Sequence, residues 1–139
     1  MPRVIGIDYG LKRTGIAVTD PLQIIASPLA TIPTKELLTF LKKYFQDEEV
    51  EALAIGMPKD LNNRDTHSTE NVRKLIEKIK KVFPALKIVE IDERFTSKIA
   101  FSAMVEGGLK KKDRKDKATV DKLSATIILQ SYLQSTSSL

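Results

Sequence analysis

The feature that most constrains the fold is the order in which strand-like and helix-like patterns follow one another along the 139 residues. Three β-branched, mostly apolar runs come first, at residues 3–8, 14–20 and 24–32. They predict an antiparallel meander, because only short segments separate them. From Thr34 onward, helical and strand periodicities alternate, and strands connected through helices lie parallel in a sheet. The sequence therefore predicts an α/β fold with a mixed five-stranded sheet and helices on both faces.

The same periodicities place the individual elements. Pro28 removes a backbone donor, which places the third strand at a sheet edge. Thr34 is the expected N-cap of the first helix, and Thr119 is the expected N-cap of the last one. We expect a single domain over residues 1–139, with a frayed tail at 135–139. The other predicted elements are strands at 50–57 and 87–91, a helix at 72–83, and a helix from Thr96 or Ser97 to Gly107.

The composition limits the chemistry that is available. The chain has no cysteine, which excludes disulfides, cysteine-ligated zinc and thiol nucleophiles. Its one histidine, His67, lies in a predicted polar loop and is interpreted as facing solvent. Every apolar run is shorter than the roughly 20 residues that a membrane helix needs. We therefore expect a soluble, cytoplasmic protein.

Positive charge is concentrated in one segment. Basic residues outnumber acidic ones by 23 to 18, and the net charge is +5. Seven basic and three acidic residues lie between Lys110 and Lys122, so this segment carries four of the five excess charges. Nucleic acids and other polyanions would meet it first. A solvated charged loop explains such a run equally well.

Acidic residues follow the predicted strands at the sheet edge where α/β proteins bind ligands. Asp8 ends the first strand, Asp92 and Glu93 follow the last one, and Asp121 opens the final predicted helix. A carboxylate at a buried strand end is unfavourable unless it is paired or binds a metal. Because oxygen ligands suit Mg²⁺ and Mn²⁺, the pattern predicts a site for one of these ions.

Each acid also has a purely structural explanation. Asp8 could satisfy backbone donors in a turn, and Asp92 or Glu93 could pair with Arg94. Asp121 would suit a first helical turn because of the helix dipole. The metal site is favoured because acids from three separate elements are predicted to meet. Which of Asp92 and Glu93 faces the metal stays open, since neighbouring strand residues point to opposite faces.

Four motifs follow one another along nearly the whole chain: GIDYG at 6–10 with TGIA at 14–17, IGMP at 55–58, DERFTS at 92–97, and DKLSA at 121–125 followed by ILQSYL at 128–133. Together they make the chain similar to the YqgF (RuvX) family of the ribonuclease H-like superfamily. The resemblance implies a ribonuclease H-like three-layer fold. It also implies a nuclease for the 5′ end of pre-16S ribosomal RNA, while some members are described as Holliday-junction resolvases. The loop at 59–65 lacks the glycine that is usual in the family.

The catalytic chemistry implied by the resemblance is phosphodiester hydrolysis by water that is activated at two Mg²⁺ or Mn²⁺ ions. Asp8 would be the central ligand, because its strand is the middle of the sheet. Glu93 and Asp121 would complete the catalytic and metal-binding set, with Asp92 in reserve for the second position.

The substrate would be bound through its phosphates. Gly10 would let a phosphate approach the backbone closely. Arg94 would either orient the neighbouring acid or contact phosphate. The residues of the basic segment that we expect to bind substrate are Lys110, Lys111, Lys112 and Arg114.

Three classes of function fit these features. The first is a metal-dependent endonuclease on structured RNA, with branched DNA as the closest rival substrate. Actin-like ATPases and sugar kinases share the opening Asp-x-Gly, but they clamp nucleotide between two such domains and this chain supplies one. The third class is a non-catalytic RNA-binding module that uses the basic segment. The expected partner is precursor ribosomal RNA or branched DNA, with no membrane, and a homodimer is a candidate assembly.

Overall fold

The computed structural model describes residues 2–58, 67–92 and 117–136. These residues form a five-stranded sheet with helices on both faces. The elements are β1 (Arg3–Tyr9), β2 (Arg13–Thr19), β3 (Ala26–Pro33), α1 (Leu37–Asp47), β4 (Val50–Met57), α2 (His67–Val82), β5 (Lys87–Asp92) and α3 (Lys117–Thr136).

The strand order in the sheet is β3-β2-β1-β4-β5. β1 pairs antiparallel with β2 and parallel with β4, while β2 pairs antiparallel with β3 and β4 pairs parallel with β5. The predicted mixed sheet is therefore confirmed. β1 is the central strand and β3 is an edge strand, as Pro28 predicted.

One face of the sheet is built from large aliphatic side chains. They alternate along the central strands, because every second residue of a strand points to the same face. α1 and α2 cover this face with the apolar stripes that their helical periodicity predicted. The fully buried members of this core include Ile5, Ile7, Ile16, Leu37, Leu41, Leu53, Ile55, Val72 and Ile79.

The opposite face is built mainly from small residues and is covered by α3. Ala17, Ala52 and Ala54 pack there against buried residues of the helix. Two glycines bring the helix closest to the sheet. A Cβ on Gly6 would lie 2.7 Å from the Ala125 carbonyl oxygen, and a Cβ on Gly15 would overlap the Asp121 carbonyl group. Any side chain at these two positions would force the helix away from β1 and β2.

The start of α1 differs from the prediction. Thr34 does not cap the helix; it begins a 3₁₀ turn at Thr34–Glu36, and α1 follows at Leu37 without a side-chain cap. The Thr34 hydroxyl instead donates to the Gly10 carbonyl. The threonine is therefore used to fix the β1–β2 turn, a long-range contact that no local capping pattern indicates.

The ends of the last helix also differ. α3 begins at Lys117, so Thr119 is inside the helix and is not its N-cap. Asp121 is consequently beyond the first turn, where the favourable effect of the helix dipole fades. The tail predicted to fray from residue 135 is helical through Thr136, and the Ser135 and Thr136 hydroxyls donate to carbonyls one turn earlier.

Two further expectations concern the middle of the chain. His67 was expected in a loop, but it is the first residue of α2. The helix predicted between Thr96 and Gly107 and the glycine-free loop at 59–65 lie outside the described residues. Among the helices that the structure describes, none is long and apolar enough to cross a membrane.

The close contact between α3 and β2 predicts a large cost for Gly15→Ala. The added methyl group meets helix backbone, which cannot move without shifting α3, so we expect a loss of at least about 1–3 kcal/mol in the free energy of unfolding. Urea denaturation measures this loss. The control is Ser27→Ala on the exposed edge strand β3, which should change stability by less than about 0.5 kcal/mol. Equal stability of the two variants would contradict the packing of α3 on Gly15.

Candidate active site

Asp8 lies near the carboxyl end of β1, on the face of the sheet that α3 covers. Val4 and Gly6 share this face, because alternate residues of a strand do so. Asp8 is only partly buried and is the ladder partner of Gly15 on β2. The Asp8 carboxylate therefore lies at the carboxyl end of the central strand β1, directly across from Gly15, on which α3 packs.

Asp121 reaches the same place from α3. Its backbone packs on Gly15, the ladder partner of Asp8. The side chain of Asp121 is 21% exposed, so its carboxylate is neither sealed in the core nor fully in solvent. The structure thus brings together two of the predicted acids, Asp8 and Asp121, from elements that are far apart in the chain.

Arg13 is a member of this site that the sequence reasoning missed. Its Nε donates to Oδ2 of Asp121 at 2.9 Å, and its side chain is 41% exposed. Charge-assisted hydrogen bonds of this kind are stronger than neutral ones, although exposure weakens their net effect. The sequence did contain a signal for Arg13. Alternate residues of a strand face the same side, and Arg13 precedes Gly15 by two residues, so both lie on the α3 face of β2.

Gly10 lies in the turn between β1 and β2, where the backbone leaves no room for a side chain. A Cβ there would lie 2.6 Å from the Arg13 carbonyl oxygen. Thr34, which directly follows β3, holds the same turn: its backbone N–H donates to the Lys12 carbonyl at 3.0 Å, and its hydroxyl donates to the Gly10 carbonyl. The turn that presents Arg13 is therefore held by β1, β2 and the segment that follows β3. The role of Gly10 in phosphate binding stays a prediction.

Asp92 lies on the other face of the sheet. In the β4–β5 ladder it pairs with Met57, whose side chain belongs to the core that α1 and α2 cover. Asp92 lines a cavity of about 230 Å³ together with Met57, Arg73 and Glu90. The structure does not bring Asp92 to the face that holds Asp8 and Asp121.

Asp8 and Asp121 are the two predicted metal ligands that the structure describes on this face. Within residues 2–58, 67–92 and 117–136, no group of three or more histidine, cysteine, aspartate or glutamate residues could hold a metal ion. Asp8 and Asp121 are two carboxylates of the oxygen type that Mg²⁺ prefers, so they fit such an ion as part of a larger set. The predicted site residues outside the described part of the chain are Glu93, Arg94, Lys110, Lys111, Lys112 and Arg114.

Close relatives of the chain carry nuclease names. A protein of Flavobacterium johnsoniae and one of Phocaeicola vulgatus are each 53% identical to it over 135 residues. The alignments cover 97% of this chain and 98% and 97% of the two relatives. Both relatives are named "Putative pre-16S rRNA nuclease". These names agree with the nuclease class that the sequence predicted.

Solved structures share the fold. The Fowlpox virus resolvase in complex with Holliday junction DNA superposes with a TM-score of 0.61 at 14% identity, covering 96% of this chain and 97% of the other. RuvC of T. thermophilus in complex with a Holliday junction substrate gives 0.53 at 20% identity, with 98% and 97% covered. At such low identity these likenesses establish the fold alone, and they confirm the predicted ribonuclease H-like architecture.

A family match accounts for almost the whole chain. The family described as "RuvX: Holliday junction resolvase" matches residues 2–135. This range contains both acids of the site, the arginine that pairs with one of them, and the two glycines that seat α3 on the sheet. The chain therefore belongs to the RuvX family.

Proposed function

We propose that this chain is a divalent-metal-dependent endonuclease that processes the 5′ end of pre-16S ribosomal RNA. The observation that carries the proposal is the meeting of Asp8 and Asp121 at one end of the α3-covered face. The names of relatives that match along nearly their whole length support the substrate. Such processing would take place in the cytoplasm, which is consistent with the sequence-based expectation.

Asp8 and Asp121 would supply carboxylate oxygens to the metal. Two acids at the same end of one sheet face repel each other unless a cation is near, and Arg13 already supplies one positive charge to Asp121. When bound, a divalent cation lowers the pKa of a bound water and stabilises charge that develops on the phosphate. The described residues are therefore a fitting but incomplete ligand set, since such ions take about six ligands or more.

Glu93 is our candidate for the third acid. Asp92 and Glu93 were both open from the sequence, but Asp92 lies on the face away from Asp8. Because the sequence left these two acids as alternatives, the position of Asp92 favours Glu93. In this proposal Asp92 is not a metal ligand.

The chain's own residues would position the phosphodiester around these acids. The proposed phosphate contacts come from the Gly10 turn, from Arg94 and from the basic segment at 110–114. These groups hold the backbone of the nucleic acid and read no base, so recognition would depend on the shape of a folded RNA. A second copy of the chain is compatible with this scheme, and a homodimer remains part of the proposal.

A Holliday-junction resolvase is the second candidate function. The family description that matches residues 2–135 names this activity. Branched DNA presents the same phosphodiester chemistry to the same acids, so the site itself does not separate the two substrates. The deciding experiment compares labelled precursor ribosomal RNA, linear duplex DNA and a four-way junction, each with Mn²⁺ and with EDTA. Preferred cleavage of the junction would replace our first candidate with the second.

Asp8→Asn should abolish cleavage while leaving the fold intact. We expect the rate with Mn²⁺ to fall by at least about 10²-fold, because a central ligand is lost. The melting temperature of the metal-free protein should stay the same or rise slightly, because one of two like charges is removed. The control is Asp47→Asn, an exposed position at the far end of α1. Wild-type cleavage by Asp8→Asn would show that Asp8 is not the central metal ligand, whereas a wild-type protein that binds precursor RNA without cleaving it would favour the non-catalytic RNA-binding module.

Glu93→Gln and Asp92→Asn form a matched pair that tests the third acid. Each variant changes one carboxylate to an amide at neighbouring positions. We expect Glu93→Gln to lose cleavage by at least about 10²-fold and Asp92→Asn to retain it within about threefold, because only the former removes a proposed ligand. Cleavage rates at saturating Mn²⁺ measure both effects. The reverse pattern would make Asp92 the ligand.

The basic segment should control how binding depends on salt. Replacing Lys110, Lys111 and Lys112 by Gln should flatten the slope of log affinity against log salt by up to about 3, because each phosphate contact releases about one counterion. The assay is binding of inactive Asp8→Asn protein to precursor RNA at several salt concentrations. The control with equal charge change replaces Lys78, Lys80 and Lys81, exposed residues near the end of α2. If both triple variants give the wild-type slope, the phosphates are bound elsewhere.

A further inference from the structure

The ion pair between Arg13 and Asp121 has no catalytic or substrate-binding role in the proposed function. Arg13 Nε lies 2.9 Å from Oδ2 of Asp121, and the two residues are 108 positions apart in the chain. The contact is specific, because Arg13 is the first residue of β2 and the turn before it is held by Thr34, which directly follows β3. The guanidinium therefore sits at a fixed place on a carboxylate that is a proposed metal ligand.

We propose that Arg13 is the built-in counter-ion of the acid pair and that a divalent cation must compete with it for Asp121. This inference rests on the proposed metal-dependent function. Arg13 is a positioning residue: it acts on Asp121 and not on the substrate. In the metal-free protein it offsets the repulsion between Asp8 and Asp121 and holds the start of α3 on β2.

The competition follows from charge and position. A cation that binds Asp121 meets the positive charge of Arg13 at hydrogen-bond distance from one of its own ligands. Like charges at this range oppose each other even when solvent screens them, and a divalent ion doubles the effect. Arg13 should therefore weaken metal binding while it stabilises the metal-free fold. A counter-ion thus has opposite effects on metal affinity and on stability, whereas a merely structural arginine affects stability alone.

Arg3 supplies a matched comparison within the same sheet. Its Nε lies 3.1 Å from Oε2 of Glu48, and the two side chains are 25% and 41% exposed. The Arg13 and Asp121 side chains are 41% and 21% exposed, so the two pairs are similar in type, distance and exposure. Arg3 begins β1, at the end of the central strand opposite to Asp8. Removing it should lower stability without any effect on a metal bound near Asp8.

The test measures binding of Mn²⁺ alone by electron paramagnetic resonance, for wild type, Asp8→Asn, Arg13→Gln, Arg13→Lys and Arg3→Gln. We expect Arg13→Gln to bind Mn²⁺ about tenfold more tightly than wild type and to unfold at lower urea without metal. Arg13→Lys keeps the charge and should stay within about threefold of wild type. Arg3→Gln should unfold at lower urea with the wild-type affinity for Mn²⁺.

The outcomes separate this inference from the function on which it rests. If wild type does not bind Mn²⁺, or if Asp8→Asn binds it equally well, the metal-dependent function fails and the counter-ion role fails with it. If wild type binds Mn²⁺ through Asp8 but Arg13→Gln has unchanged or weaker affinity, the function stands and the counter-ion role is wrong. If Arg13→Gln does not fold, the decision rests on Arg13→Lys. A lower affinity of that folded variant for Mn²⁺ would mean that Arg13 orients Asp121 for metal binding and does not compete with the metal.

Discussion

The close packing of α3 on the two central antiparallel strands is the contact on which the site depends. It requires glycine at positions 6 and 15, where any side chain would meet the helix. Small residues on β2 and β4 extend the same shallow surface. The face that α1 and α2 cover carries isoleucine and leucine instead. The two faces of the sheet therefore have different roles. The face under α1 and α2 supplies most of the large apolar core. The face under α3 lets the helix approach closely enough to bring Asp121 beside Gly15, the ladder partner of Asp8.

Charge is organised along the central strand as well. One end of β1 carries Asp8, with Arg13 and Asp121 beside it. The other end begins with Arg3, which pairs with Glu48 and also donates to the Thr19 carbonyl at 2.9 Å. Both arginines sit at strand beginnings and both hold a carboxylate from a later segment. The difference is their setting, because only the Arg13 pair lies at the carboxyl ends of the parallel strands, where α/β sheets bind ligands.

The parts of the fold that periodicity controls were predictable from the sequence. The bounds of β4 match the prediction at both ends, and the central and edge strands were assigned correctly. One error arises where a tertiary contact overrides a local signal. Thr34 has the sequence position of a helix cap, but its hydroxyl bonds to a turn 24 residues earlier. The last helix begins at Lys117 and ends at Thr136, beyond the bounds that its local signals indicated, and at its C-terminal end the Ser135 and Thr136 hydroxyls bond to carbonyls of the helix itself.

The positions of Asp8 and Asp121 at one end of the sheet were predictable from the sequence, whereas the ion pair between Asp121 and Arg13 was not. Strand ends indicate where Asp8 lies, but the pairing of Arg13 with Asp121 depends on register and on how closely α3 approaches. The face occupied by Asp92 also required the β4–β5 register, because alternation alone leaves two equal choices.

The separation of Arg13 and Asp121 along the chain has a consequence for synthesis on the ribosome. The meander that carries Asp8 and Arg13 is made first, and its partner carboxylate belongs to the last described helix. A nascent chain that has not yet produced and docked α3 presents the glycine-lined face of β1 and β2 without its second acid. The two acids therefore come together only after α3 has been synthesised and has docked on this face.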